Sequence, residues 1–328
     1  MIRFATIGTN FVTTWFLEAA GQCEELQYAA VYSRTTEKTR QFAEQYGAAK
    51  QYTDLNALAA DQDIDAVYIA SPNALHCEQA KLMLGSGKHV LCEKPVASNL
   101  PELRQMLQTA AAHGVVLLEA MRSAFDPGLA AIRDNLPKLG RIRNVCFQYC
   151  QYSSRYDKFK AGIVENAFNP LYSNGALMDI GVYCVHPLVQ LFGRPRKLQA
   201  EAVILDNGVD GAGTILAGYD GMLAELVYSK IANSRLPSQI QGENGCMIIR
   251  EIASPDEVTI LYNDQTEEKI VARARQSNMI YEVREWLRLI RAGADATPYN
   301  GNSLLALEVM DQARQQMGIR FPADRESA

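Results

Sequence analysis

The feature that most constrains this chain is the alternation, through its first third, of short apolar runs with helix-length amphipathic stretches. Ile2 to Ile7 is a strand-like run ending at Gly8, and a helical stretch follows from about Phe11 to Ala20. Leu26 to Tyr32 is a second strand, followed by a helix from Thr36 to Tyr46 with Glu, Lys, Arg and Gln on its polar face. The β-branched run Ile64 to Ala70, the helix Ala74 to Leu84, the strand His89 to Cys92, the helix Leu100 to His113 and the strand Val115 to Leu118 continue the pattern. Strands alternating with helices of this length predict βαβ units and a parallel sheet. Right-handed crossovers then make it a doubly wound Rossmann sheet.

After about Arg122 the texture changes. Asp126-Pro127-Gly128 opens a helix, Arg141 to Tyr152 is long and strand-like, and β-rich segments separated by turn residues run from Ala202 to Leu261. The turns Asp206-Asn207-Gly208, Tyr219-Asp220-Gly221 and Gly242-Glu243-Asn244-Gly245 suggest hairpins. Two amphipathic helices, about Ser277 to Arg291 and Ser303 to Met317, end the pattern. The 328 residues exceed one ordinary domain. The reading is α/β: a Rossmann domain over 1–122, then an α+β domain over 123–328 with an open, mainly antiparallel sheet. The helix 303–317 is expected to pack back on the first domain.

Charge narrows the partners. Lys+Arg 32 against Asp+Glu 37 gives a net charge of -5 with no basic run, so neither nucleic acid nor an anionic membrane is an expected partner. No run of about 18 consecutive apolar residues is present, and MIRFATIGTN enters a strand directly, so a cytoplasmic location is expected. The 7 scattered cysteines read as small buried hydrophobes, and the 4 histidines show no zinc-site spacing, so no metal is expected.

Gly8-Thr9-Asn10-Phe11-Val12-Thr13 stands where a dinucleotide-binding turn belongs, with only the first glycine of G-x-G-x-x-G present. Asn10 adopts positive φ more readily than most residues, and Thr13 is small enough for helix–sheet packing. Backbone N–H groups at such a helix start favour a pyrophosphate. After the second strand comes Tyr32-Ser33-Arg34-Thr35, with Lys38 one turn later. An Arg and hydroxyls without a carboxylate suit a 2′-phosphate, favouring NADP over NAD, with NAD still possible. In Glu93-Lys94-Pro95, at the carboxyl end of a parallel strand, Lys94 is a candidate proton relay. Farther on, Asp179, Tyr183 and His186 fall on one helical face within Gly175 to His186, with Pro187 a point where the helix kinks.

These motifs together, with Ser71-Pro72-Asn73 and His76 after the Ile64–Ala70 strand and Glu119-Ala120-Met121-Arg122 after the last strand of the first domain, resemble the glucose–fructose oxidoreductase/inositol dehydrogenase/MocA family. The likeness covers nearly the whole chain. It implies catalytic roles for Lys94, Asp179 and Tyr183, and a cofactor site that includes Ser71, Pro72, Asn73, His76, Glu93, Lys94 and Arg122 beside the turn residues. Tyr in place of the family's usual His resembles the dihydrodiol dehydrogenase and NADP-linked pentose dehydrogenase branch. Asn10, Thr13 and Asn174 depart from the family's glycine or small-residue pattern.

The resemblance implies hydride exchange between nicotinamide and the carbinol carbon of a sugar, polyol or cyclic diol. Tyr183 would exchange the hydroxyl proton, helped by the Lys94 cation, and Asp179 would orient the substrate or Lys94. His186 would either support the site residues from behind or be structural. A nicotinamide-dependent glycosidase without net redox and a non-catalytic nucleotide sensor are the alternatives. Polar residues between Arg155 and Asn174 are expected to line the substrate pocket. The open sheet, with Leu223, Val227 and Ile248 on its free face, predicts a homodimer or a tetramer of dimers.

Overall fold

The computed structural model describes residues 1–273 and 277–325. Two compact units emerge: one formed by Met1–Met121 with Met279–Leu304, the other by the remaining described residues.

In the first unit the strands β1 (Ile2–Ile7), β2 (Leu26–Tyr32), β3 (Lys50–Tyr52), β4 (Ala66–Ile69), β5 (His89–Glu93) and β6 (Leu117–Ala120) form a parallel sheet in the order β3-β2-β1-β4-β5-β6. Between them run α1 (Phe11–Ala20), α2 (Thr36–Tyr46), α3 (Leu55–Ala60), α4 (His76–Gly85) and α5 (Leu100–His113). Every residue of β4 is fully buried, as expected of a central parallel strand covered on both faces. Tyr68 from β4 stacks on Phe16 of α1 at 3.7 Å between ring centroids. Sequence periodicity misses β3 and α3, which at three and six residues are too short to show a period. β6 begins and ends two residues later than expected, because Glu119 stays inside, its carboxylate accepting the Val96 N–H at 3.0 Å.

Register decides what shares an edge. Ile7 pairs with both Tyr32 and Ile69, Ile69 with Cys92, and Glu93 with Ala120. The residues that follow these strands, Gly8, Ser33, Ala70–Ser71 and Lys94, therefore emerge along the sheet's carboxyl edge. The order reverses between β1 and β4, where open α/β sheets take their ligands.

The second unit opens with α6 (Pro127–Asn135), whose first turn is capped by the Asp126 carboxylate. Its sheet comprises β7 (Ile142–Cys150), β8 (Lys197–Ile204), β9 (Asp210–Gly218), β10 (Leu223–Ser229), β11 (Ser238–Gly242), β12 (Gly245–Ile249), β13 (Glu257–Tyr262) and β14 (Glu267–Ala272). The order is β14-β13-β12-β11-β7-β10-β9-β8, antiparallel throughout except for the parallel pair β7–β10. Val145, Phe147, Ala224, Leu226 and Ile240 are fully buried on one face, against which α8 (Val182–Phe192) packs. α7 (Tyr156–Lys160) lies in the connection that precedes α8. The alternate positions form the other face: Leu223 is 53% exposed there, with Val227 and Ile248 half-buried, among Asn144, Gln148, Gln239 and Gln241. The stretch Pro170–Phe192 is long and apolar enough to cross a membrane by length and composition, and 78% of its window is buried inside the protein.

The chain ends with α9 (Met279–Ala292) and α10 (Thr297–Met317). Sequence reading places α9 in the second domain and turns only the final helix back. In the structure α9 belongs to the first unit, where it packs on α1 with Trp286 and Leu289 buried, and α10 starts in that unit before entering the second. Such an amphipathic helix can be recognised from its period, but not the surface it covers. All seven cysteines are free; Cys146, Cys150 and Cys246 are only half-buried, unlike the fully buried hydrophobes expected.

Candidate functional site

The first unit supplies a nucleotide-type edge. Gly8 sits at φ 112°, and a Cβ there would fall 2.7 Å from the Ala70 carbonyl oxygen, so only glycine fits the turn. Asn10 does not use positive φ as expected. It is extended, at φ -95°, and caps α1: Oδ1 accepts from the Val12 and Thr13 N–H groups, while Nδ2 donates to Ala70 O at 2.8 Å. A side-chain bridge to the end of β4 thus replaces the second glycine. Thr13 is fully buried, Thr9 and Val12 are half-buried, and Phe11 is exposed.

Beyond β2, the Ser33 N–H donates to Tyr52 O and its carbonyl accepts the Thr39 hydroxyl. Arg34, Thr35 and Lys38 are exposed. Among the described residues, Arg34 and Lys38 have no ion-pair partner, and the nearby Glu37 is held by Arg40. Two uncommitted cations beside hydroxyls fit a phosphate group.

Ser71 donates its hydroxyl to Gln79 Oε1, Pro72 leads into a short 3₁₀ turn, and Asn73 is buried. His76, expected on the cofactor, is instead fully buried, its Nε2 2.8 Å from Ser71 O and its Nδ1 3.0 Å from Pro95 O. It ties together the loops after β4 and β5. Burial, offset in part by these carbonyls, holds its pKa below the ordinary value. Glu93 accepts the Tyr68 hydroxyl at 2.6 Å and the Lys94 N–H at 3.2 Å. Lys94 is half-buried and precedes a cis peptide bond to Pro95.

In the second unit the expected single helical face is altered. Leu177–Gly181 is a π-helical turn ahead of α8. A wider turn places Asp179 at a different angle from the one a 3.6-residue period gives. Gly175 makes the entry possible, since a Cβ there would collide with the Asp210 carboxylate. Asp210 is buried and accepts the Leu177 N–H at 2.6 Å; burial pushes its carboxyl up to about 6. Asn174 accepts the Gly175 N–H through its own side chain.

Tyr183 is reached by Arg122, whose Nε donates to the phenolic oxygen at 3.2 Å. Arg122 also donates to Asn278 Oδ1, and Asn278 in turn donates to Asp126. Arg122, expected on the nucleotide, is thus engaged with the tyrosine. Asp179 pairs with Lys230 at 2.7 Å. His186 is buried in the core, and burial lowers its pKa to about 4. A cavity of about 350 Å³ opens at the end of β7, lined by residues including Gln148, Tyr149, Gln151, Leu236 and Arg250. The Tyr149 ring stands 5.6 Å from that of Tyr183. The segment 155–174, expected to line the pocket, does not line this cavity.

Lys230, Asp210, Asn278 and Tyr149 escaped the sequence reading. Lys230 follows the apolar strand β10 and looks in sequence like an ordinary solvated lysine at a strand end. The Arg122–Asn278–Asp126 chain joins positions more than 150 residues apart, which no local pattern records.

Residues 2–121 match the family model described as oxidoreductase family, NAD-binding Rossmann fold, and residues 137–248 match the GFO/IDH/MocA C-terminal domain. The chain is 49% identical over 327 residues to scyllo-inositol 2-dehydrogenase (NADP(+)) IolU of Bacillus subtilis (strain 168), covering 99% of this chain and 100% of that one. It is 31% identical over 315 residues to mouse (Mus musculus) trans-1,2-dihydrobenzene-1,2-diol dehydrogenase, covering 92% of each. Among solved structures, KijD10, a 3-ketoreductase from Actinomadura kijaniata in complex with NADP and TDP-benzene, is similar with a TM-score of 0.86 and 23% identity, over 96% of this chain and 98% of that one.

Proposed function

Because the chain belongs to the GFO/IDH/MocA oxidoreductase family, we propose that it is an NADP-dependent dehydrogenase whose substrate is a cyclic polyol of the inositol type. In its coarser form the assignment is plain: the chain is an NAD(P)-dependent oxidoreductase acting on polyol or diol hydroxyl groups, and NADP is its cofactor. The observation that carries the finer reading is the 49% identity, spanning both units, with an NADP-dependent scyllo-inositol dehydrogenase.

The residues present fit the cofactor. Gly8 to Val12 and Ser71 to Asn73 would face its phosphates and ribose, with Arg34 and Lys38 at the 2′-phosphate. NADP, when bound, accepts or returns the hydride. Tyr183 is proposed to exchange the substrate hydroxyl proton. Arg122 Nε can only donate, so the Tyr183 oxygen is the acceptor there and its own O–H is directed to another partner. Asp179, paired with a cation, serves as a carboxylate acceptor for a substrate hydroxyl. Lys94 is the proposed proton relay. A face-to-face homodimer through the open sheet is supported by the exposed Leu216, Leu223 and Leu261. A cytoplasmic location is supported by seven free cysteines.

The test is a panel of inositols, sugars and diols with NADP⁺ and NAD⁺, followed at 340 nm. Stoichiometric NADPH with scyllo-inositol is the expected result. A sugar or diol outrunning every inositol would refute the substrate class, and turnover without NADPH accumulation would point to non-redox chemistry.

A further inference from the structure

We propose that Lys230 is the positioning residue for Asp179, fixing the carboxylate that orients the substrate polyol and tying it to the loop that carries Phe168. The inference rests on the reading of Asp179 given above.

Lys230 is buried, its side chain 3% exposed, while that of Asp179 remains 30% exposed. Its ammonium donates to Asp179 Oδ2 at 2.7 Å and to the Ala167 carbonyl at 2.5 Å, and it lies 4.5 Å over the Phe168 ring. The backbone is held too: Lys230 N–H donates to Gly211 O, and its carbonyl accepts from Ser153 N–H. The lysine therefore has one geometry, and through it so does one carboxylate oxygen.

Stability alone does not account for this arrangement. Desolvating an ammonium to pair it with a part-exposed carboxylate recovers little of the cost of burial. A second carboxyl, Asp210, also feels the Lys230 charge, but its oxygen is engaged at the Leu177 N–H. The pairing falls instead on Asp179, inside the π-helical turn that alters its direction. A part-exposed carboxylate held by a buried cation is an acceptor fixed in place before a hydroxyl arrives. Such preorganisation acts on binding of the polyol.

The experiment measures initial rates at saturating NADP⁺ with scyllo-inositol, or with whichever panel polyol turns over fastest. The chains compared are wild type, Lys230→Met, Lys230→Arg, Asp179→Asn and Lys230→Met/Asp179→Asn. Where turnover is too slow, calorimetric affinity of the NADPH complex for the polyol replaces KM. Lys230→Met is expected to raise the polyol KM about tenfold or more, with kcat within roughly threefold and the NADP⁺ KM unchanged, since the lost contact acts on substrate binding. Lys230→Arg should recover most of the KM. The double variant should be no worse than Asp179→Asn alone, as required if Lys230 acts through Asp179.

A kcat loss at unchanged KM signifies fewer folded active sites and overturns the proposal, as do effects that multiply in the double variant. If Lys230→Met does not fold, Lys230→Arg is introduced into the wild type and into the Asp179→Asn variant, and an equal KM change in both overturns it. Asp179→Asn with unchanged kcat/KM would instead remove the underlying assignment of Asp179.

Discussion

The two units hold their candidate functional side chains by different means. In the parallel sheet, Gly8 is placed by its N–H bond to Tyr32 O and its close approach to Ala70, and Asn10 by its side-chain bond to Ala70 O at the end of β4. Ser33 leaves β2, beside β1, and Lys94 leaves β5, beside β4, at the same edge, so register aligns them. In the mixed sheet, Asp179 and Tyr183 come from a π-turn and a helix, and their partners Lys230 and Arg122 lie 51 and 61 residues away. The candidate edge of the first unit is set by local geometry, a glycine at position 8 and the Asn10 side chain beside it. The candidate residues of the second unit, held by one ion pair and one hydrogen bond to distant partners, can be retuned by changing one partner.

The largest effects expected from that difference are catalytic. Tyr183→Phe and Lys94→Ala should each lower kcat about 10²–10⁴-fold, the range for losing an acid–base group. Tyr183→Phe should leave NADP affinity intact, as measured by fluorescence titration of NADPH. Near wild-type turnover of Tyr183→Phe would mean that the second unit's pairs do not carry the proton step.

Next come two buried groups of the second unit whose pH dependences oppose each other. The Asp210 carboxyl is raised from 3.8 to about 6. Its contribution to stability is fully present below pH 3.8 and is lost as pH rises through about 6. His186 is lowered from 6.5 to about 4. Its contribution is present above pH 6.5 and is lost as pH falls through about 4. Each amounts to about 3 kcal/mol from linkage, so between pH 4 and 6 the two slopes nearly cancel. Asp210→Asn should expose the histidine slope, with stability dropping toward pH 4, and His186→Gln should expose the opposite one. Denaturant melts at several pH values measure both, and parallel curves for the three chains would contradict the assignment.

A smaller effect belongs to the first unit. Arg34→Ala should weaken NADP(H) binding about ten- to a hundredfold, the scale of a charge-assisted hydrogen bond, and hardly change NAD(H). Tighter NAD(H) than NADP(H) binding by the wild type would overturn the reading of the β2 loop. The least effect on chemistry is expected at the open sheet face. Leu223→Glu should shift light-scattering mass from dimer toward monomer while kcat changes by less than about threefold, as for a surface position away from the site. A monomeric wild type at micromolar concentration would remove the sheet-face interface.

Much of the first unit was legible in the sequence because its information is local. β2, α2 and α5 occupy the residues that periodicity gives them, and the turn after β1 announces itself by a glycine that nothing else can replace. What failed there failed for short-range reasons: β3 lacks the length to show a pattern, and Asn10 solved the turn by capping instead of by positive φ. His76 shows the other kind of error, a motif residue whose position was right and whose surroundings were not, since burial beneath two loops is a property of the packed chain.

Composition, period and the order of the motifs determined, with no structure in hand, the two-sheet architecture, and they singled out Gly8, Lys94, Asp179 and Tyr183 as candidates. Tertiary structure alone decided that α9 covers the first unit, that His186 is core, and that Asp179 is held by Lys230 and Tyr183 by Arg122. The physical reason is range. Helix period, turn geometry and strand alternation are set by neighbours within a few residues, whereas a buried ion pair depends on where the fold brings two distant positions, and a lysine in sequence looks the same whether its ammonium ends in water or on a carboxylate.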